Sequence, residues 1–234
     1  MKRIARIVLL YVPLGLVLLS LLWVLLYKSV SVTWTPLMLK RIIENRRNKE
    51  FDNQRVWVDL DEIAPVMVRA VIASEDSRFM QHQGFDFQEL RKMQREHESK
   101  GKKIRGCSTI SQQVAKNCFT FGNRTWLRKG IEAYYTFLIE KLWGKQRIME
   151  VYLNVAEFGK GIYGVEAAAL HYYGCHALRL TTSQAVCIAC VLPNPLSRNP
   201  RTVPEKNRTK YNTTLRRTQQ TPTRFEFFHP LPSP

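Results

Sequence analysis

The longest unbroken apolar pattern comes first in the chain. Residues 7–27, IVLLYVPLGLVLLSLLWVLLY, carry no charge. At 1.5 Å rise per residue they span roughly 30 Å as a helix, the hydrocarbon thickness of a bilayer. Pro13 and Gly15 are tolerated in a membrane helix, and Trp23 and Tyr27 suit its outer interface. A cleaved signal peptide would carry a shorter apolar region and a small-residue cleavage site, for which the SVSVTW that follows is a poor match. Residues 1–28 therefore read as an uncleaved signal anchor. Lys2, Arg3 and Arg6 precede the span and favour an N-terminus inside with the bulk of the chain outside.

Beyond the anchor the pattern is that of short helices. Residues 29–55 form a basic juxtamembrane segment, helical around KRIIENRRNKE, and VWVDL at 56–60 reads as a short extended piece. Asp61 and Glu62 open a helix through IAPVMVRAVIASED, acidic in its first turn, with Val66, Val68, Ala70, Val71 and Ala73 turned to a core. Residues 87–105 are charged throughout and predict a solvated helix with a loop, or a mobile flap. A helix over 108–117 takes its N-cap at or near Ser108. Two more cover 127–143 and 145–155, separated by Gly144 as a C-cap. Ile148, Val151, Tyr152 and Val155 recur on one apolar face. Gly159, Gly161 and Gly164 mark a turn before the helix VEAAALHYY, and Thr181, Thr182 and Ser183 cap a last core helix that stops at Pro193. Strand signals are few, so the expected fold is mostly α, with one globular domain over 56–198. From 199 to 234 Pro, Thr, Arg and Asn dominate, which predicts a loosely docked or partly disordered tail.

Composition changes the picture in two respects. The net charge of +17 over 234 residues fits nucleic acid, an anionic membrane surface or a phosphate-bearing substrate. An anchored domain outside the membrane makes nucleic acid the wrong partner. The five cysteines form no regular disulfide framework. Cys187 and Cys190 make a C-x-x-C, but inside an apolar helical pattern and without a second ligand pair, so buried free thiols are expected and no metal or redox site.

Three clusters set chemically able residues into these helices. In the first, from Glu75 to Asp86, a carboxylate ends an apolar helix, a partly desolvated setting that suits a general acid or base. An ordinary helix-terminal Glu-Asp pair is the plain alternative. In the second, Gly106 to Asn117, a Gly and then Ser108 and Thr109 open a helix whose free N–H groups can meet an anion. Gln112, Gln113 and Lys116 would add amides and a cation. The same letters also spell an S/T-x-x-Q capping box. In the third, Arg124, Arg128 and Glu132 recur at four-residue spacing, either a phosphate clamp beside a second carboxylate or a surface ion pair.

Together the clusters resemble the peptidoglycan glycosyltransferases of family 51, found as single-function membrane enzymes and as the polymerising domain of bifunctional penicillin-binding proteins. The motif E-D-x-x-F-x-x-H-x-G-x-D is met at Glu75, Asp76, Phe79, His82, Gly84 and Asp86. G-x-S-T-I-x-Q-Q-x-x-K-N is met at Gly106, Ser108, Thr109, Ile110, Gln112, Gln113, Lys116 and Asn117, and R-x-x-x-R-K-x-x-E at Arg124, Arg128, Lys129 and Glu132. A fourth motif is met at Arg147, Ile148, Tyr152, Leu153, Asn154, Gly159, Gly164, Ala168 and Ala169. The likeness runs from about 57 to 195. Cys107 departs at a position that more often holds a small residue, and the chain diverges after Pro195.

The resemblance implies a lysozyme-like helical domain with a membrane-embedded small lobe, and residues 87–105 fall where the family has its mobile flap. It implies a growing glycan strand as donor and lipid II as acceptor. Glu75 would be the general base, and Glu132 a second essential carboxylate that orients cations or binds pyrophosphate through a metal. Lys116, Arg124 and Arg128 would neutralise the pyrophosphate leaving group. Asp76, Phe79, His82, Ser108, Thr109, Gln112, Gln113, Asn117 and Lys129 would complete the substrate site. No cofactor is required by the sequence, and a divalent Mg or Mn ion is an option the family leaves open. Implied partners are membrane lipids and cell-wall synthesis or division proteins, at the cytoplasmic membrane with the catalytic domain outside. Two rival readings remain: a lysozyme-like lytic enzyme, which has no use for the Lys/Arg cluster, and an inactive anchored scaffold, which needs neither Glu75 nor Glu132.

Overall fold

The computed structural model describes residues 2–48, 51–101, 108–121 and 125–222. Helix α1 (Lys2–Ser29) holds the apolar run, and its stretch Leu9–Ser29 is long and apolar enough to cross a membrane while being almost wholly exposed. That fits a single-pass anchor. Among the described residues, burial against the rest of the chain begins at Ser20, in its C-terminal third. Val24 is fully buried, Trp143 donates its indole N–H to the Val24 carbonyl at 2.8 Å, and Ser20 bonds the Tyr134 hydroxyl at 2.8 Å. Arg147 caps the end of the helix through the carbonyls of Tyr27 (2.8 Å) and Val30 (2.5 Å). They lie in and just beyond the last turn of α1, where carbonyls have no partner within the helix and favour a cation.

Helix α2 (Pro36–Asn45) starts on Thr35, whose hydroxyl accepts from the Met38 N–H, with Pro36 at the first helical position. The expected helix from Asp61 divides in two. Leu60–Glu62 is a separate 3-10 turn, and α3 (Pro65–Glu75) begins on Pro65. The proline ring fixes φ and lacks an N–H, and it disfavours helical geometry at the residue before it, so the acidic pair cannot belong to the same helix. Helix α4 (Phe87–Lys100) is capped by Asp86 and closed by Gly101 in left-handed geometry, which realises the solvated-helix reading of the charged segment. Residues 102–107 lie outside the described structure.

The core is built from α5 (Ile110–Phe119), α6 (Trp126–Leu142), α7 (Gly144–Val155), α8 (Val165–Tyr173) and α9 (Thr182–Val191). α5 packs on α6 and α7, and α3 lies along α9. Gly144, at φ +78°, makes the break between α6 and α7. A small sheet closes one end. β1 (Gln54–Arg55) runs parallel to β3 (Ile162–Tyr163), which pairs antiparallel with β2 (Glu157–Gly159), in the order β1-β3-β2. Cys118, Cys187 and Cys190 are buried free thiols, as expected. Burial pushes the Cys187 thiol up to about 11. Cys107 falls outside the described residues.

The C-terminal reading needs correction. Residues 199–222 are ordered: a 3-10 turn at Pro200–Thr202, α10 (Val203–Lys206) and α11 (Arg208–Gln220), the last lying against both α3 and α9. Its inward face carries the buried Thr214 and Thr218 with the partly buried Tyr211 and Leu215, and Thr218 returns its hydroxyl proton to the Thr214 carbonyl at 2.8 Å. Ser183 bonds the Tyr211 hydroxyl at 2.9 Å, and Arg201 donates to the Tyr172 carbonyl at 2.6 Å. A threonine face has no apolar period, because its polarity is satisfied locally by the helix that carries it. Residues 223–234 lie outside the described structure.

Gly161 is the tightest point of the sheet. Its φ is +76°, its carbonyl accepts from the Gln54 N–H at 2.8 Å, and a Cβ there would lie 2.0 Å from the Asp52 carbonyl oxygen. Gly161→Ala is therefore expected to destabilise the domain by roughly 2–4 kcal/mol. The midpoint of chemical denaturation would read that loss, and an unchanged midpoint would show that the strand at Asp52 yields freely.

Candidate active site

Helix α3 ends on Glu75 because the next residue leaves helical geometry. Asp76 sits at φ −158° and turns its carboxylate inward, where it is 7% exposed. One Asp76 oxygen accepts from the Ile110 N–H at 3.0 Å, and both lie 2.9–3.0 Å from His82 Nε2. The carboxylate thus ties the first N–H of α5, an orphan donor of a helix N-terminus, to the loop after α3. Since an ionised carboxylate only accepts, the His82 proton on this side sits on Nε2. Thr109 completes the joint. Its hydroxyl donates to the Gly84 carbonyl at 2.6 Å, while Thr109 and Gln112 cap one another reciprocally.

The joint sets the position of Glu75. Its Oε1 accepts from the Ser74 hydroxyl at 3.1 Å, and its Oε2 accepts from the Gln113 amide at 3.3 Å. The other end of that amide, Oε1, accepts from the Tyr152 hydroxyl at 3.2 Å. Burial, reinforced by the charges of Glu75 and Asp76, raises the Tyr152 phenol well above its ordinary range. It stays a neutral donor and fixes which face of Gln113 meets Glu75. Lys210, from α11, brings its ammonium to 3.8 Å from Glu75 Oε1.

The second carboxylate is deeper. Glu132, on α6, is 2% exposed. Arg128 donates to its Oε2 at 2.9 Å, and Lys129 pairs with Oε1. Two cations one turn earlier on the same helix offset the desolvation of the buried carboxylate, and the carboxylate in turn fixes both cations.

The residues named from sequence separate into two groups. Glu75, Gln113, Ser108, Lys116, Arg128 and Lys129 are exposed or partly exposed. Asp76, His82, Thr109 and Gln112 are buried and hold the frame, so the capping reading of Thr109 and Gln112 accounts for their contacts, and Asn117 is buried as well. Phe79 is fully buried beneath the Lys145 ammonium, 4.4 Å from its ring centroid, and cannot touch a substrate there. Arg124 lies outside the described residues. Three residues of the Glu75 setting were not singled out as site residues by sequence: Ser74, Tyr152 and Lys210. Tyr152 counted as part of an apolar face, and nothing in periodicity marks a tyrosine whose hydroxyl alone is polar.

A metal fits poorly in the one cluster that brings three candidate ligands together among the described residues. Asp76, His82 and Asp86 have ligand atoms within 4.8 Å of one another. Asp76 is already committed to His82 and α5, and Asp86 to the Arg78 guanidinium (3.2 Å) and the Glu89 N–H (2.9 Å). At Glu132 both oxygens already hold cations, so a divalent ion there would displace Arg128 or Lys129.

Comparison with known proteins gives this arrangement its setting. The sequence model of the family described as Transglycosylase matches residues 41–219, a span that includes α11. The chain is 48% identical over 195 residues to the biosynthetic peptidoglycan transglycosylase of Caulobacter vibrioides, covering 83% of this chain and 82% of the relative. It is 48% identical over 181 residues to that of Bacteroides thetaiotaomicron, covering 77% and 73%. It is 50% identical over 177 residues to that of Bdellovibrio bacteriovorus, covering 75% and 70%. With its helical domain, apolar N-terminal helix and paired carboxylates matching the family's motifs, the chain belongs to the peptidoglycan transglycosylase family of lysozyme-like glycosyltransferases.

Proposed function

We propose that this enzyme polymerises lipid II into β-1,4-linked glycan strands, with Glu75 as general base and the Arg128–Lys129–Glu132 cluster serving the leaving group. The observation that carries the reading is the setting of Glu75. It is a carboxylate at a helix end, accepting hydrogen bonds from Ser74 and Gln113 and facing one ammonium. Among the described residues its oxygens meet donors only, which leaves them placed as acceptors for a hydroxyl proton.

In the reaction, the sugar 4-hydroxyl of the acceptor attacks the donor anomeric carbon and gives its proton to Glu75. The O4–C1 bond forms as the C1–O bond to the polyprenyl pyrophosphate breaks. Attack from the opposite face turns the α-linked donor into a β-linked product. Charge accumulates on the departing pyrophosphate, and preorganised cations stabilise that charge without further reorganisation. Arg128 and Lys129, held by Glu132, suit that task, as do Lys116 on α5 and Arg124.

A lytic enzyme is disfavoured by the same cluster. Hydrolysis of a finished glycan releases no pyrophosphate, so cations held by a buried glutamate would have no partner there. The exposed apolar stretch of α1 supports insertion at the cytoplasmic membrane, and Lys2, Arg3 and Arg6 support a catalytic domain on the outer side. Membrane lipids, lipid II and the growing strand are then its partners, together with proteins of cell-wall synthesis or division.

Two outcomes test this. Detergent-purified full-length protein is expected to convert labelled lipid II into lysozyme-digestible polymer, and Glu75→Gln to slow it by about a hundred- to ten-thousand-fold. Substantial polymer from that variant would remove Glu75 from the role of base. Glu132→Gln is expected to lower turnover by about a hundredfold or more through loss of cation placement. It would also lower stability by about 1 kcal/mol or more, since it removes the charge that both partly exposed cations face. Stability loss with unaltered turnover would make Glu132 purely structural.

A further inference from the structure

The C-terminal helix brings a charged group to the catalytic carboxylate. Lys210 stands at the start of α11, three-quarters of its side chain is withdrawn from solvent, and its Nζ is 3.8 Å from Glu75 Oε1. Among the described residues it is the one Lys or Arg that forms an ion pair with Glu75. The placement is enforced. Thr214 and Thr218, one and two turns further along the same face, are buried where α11 meets α3 and α9, and Tyr211 is bonded to Ser183 on α9.

We propose that Lys210 is a positioning residue for glycosyl transfer: its ammonium keeps the Glu75 carboxylate charged and turned toward the acceptor hydroxyl between turnovers. The inference rests on the reading of Glu75 as the general base. At 3.8 Å the pair is longer than a charge-assisted hydrogen bond. It favours the anion without occupying the lone pair that must receive the proton. Burial pushes the Lys210 ammonium below the ordinary lysine range, while Glu75 pulls it back up. A cation already short of water gains from a carboxylate neighbour, and the benefit is mutual.

The other titratable or charged groups about the pair do not substitute for it. From α3, Asp76 is an anion committed to His82 and α5. From α7, Tyr152 is neutral. From α9, burial raises the Cys190 thiol, so it carries no charge. Arg198, just beyond α9, spends a guanidinium N–H on the Cys190 carbonyl at 3.0 Å, and its charge opposes that of Lys210. Gln113, from α5, is an amide. Among the described residues, the ion pair at Glu75 is the one it makes with Lys210.

The test is the pH profile of lipid II polymerisation by the full-length protein in detergent, for wild type, Lys210→Met, Lys210→Arg and Glu75→Gln, with thermal unfolding of each. Losing the cation makes the carboxylate harder to ionise. The acid limb of kcat/KM for Lys210→Met should therefore move to higher pH by about one unit or more, and Lys210→Arg should restore the wild-type limb. Near the foot of the acid limb that shift is a tenfold or greater loss, shrinking as pH rises. A lower rate with an unmoved limb, or a change confined to KM, would overturn the proposal and leave Lys210 as a packing or substrate-binding residue. If Lys210→Met does not fold, Lys210→Gln carries the same comparison against Lys210→Arg. The failure of the underlying reading is separate: an active Glu75→Gln would remove the base itself, whereas an inactive one beside an unmoved Lys210→Met limb would sink only the role of Lys210.

Discussion

The Asp76 carboxylate sits where three pieces of chain would otherwise separate: the end of α3, the loop carrying His82, and the first turn of α5. It is buried, and a buried carboxylate persists only if each of its oxygens meets a donor. The donors available are the imidazole N–H and a backbone N–H that a helix N-terminus leaves without an internal partner. Satisfying that one group fixes the angle between α3 and α5. The angle places Gln113 beside Glu75, and Tyr152 behind Gln113. The exposed part of the site is small, and its geometry is inherited from the buried part.

The same economy appears at Glu132. A carboxylate withdrawn from water is tolerable there because Arg128 and Lys129 lie one turn away on the same helix. The arrangement leaves two cations with their rotamers restricted before any substrate arrives. Preorganisation of this kind matters most for a leaving group that gathers negative charge as it departs. One site therefore uses its two glutamates differently. Glu75 is partly exposed and is faced by Ser74, Gln113 and the Lys210 ammonium. Glu132 is saturated, so it acts through the groups it holds.

Docking of the anchor links this site to the bilayer. Trp143 and Arg147, at the junction of α6 and α7, take up carbonyls near the end of α1, and α7 is the helix that carries Tyr152. The polar groups that a membrane helix must satisfy as it emerges are thus met by the domain itself. The end of α1 and the Tyr152 side of the site are thus held by neighbouring parts of the chain.

By itself the sequence determined the anchor, the mostly α fold, the cap at Thr181 and one close to Ser108, the break at Gly144, and Glu132 with the cations one turn before it. Each of these is a local matter: apolar run length, capping chemistry, left-handed glycine geometry, or residues one helical turn apart. Tertiary structure alone decided the rest. It split the helix at Pro65, turned Phe79, Asp76, His82 and Gln112 into the frame beneath the site, and folded α11 back onto α3 and α9. The reason is common to all three. Whether a polar residue faces substrate or supports it depends on what lies across from it, often many residues away in the chain. A helix buried through threonines, with Lys210 reaching a glutamate 135 positions earlier, leaves no periodic trace from which that partner could be read.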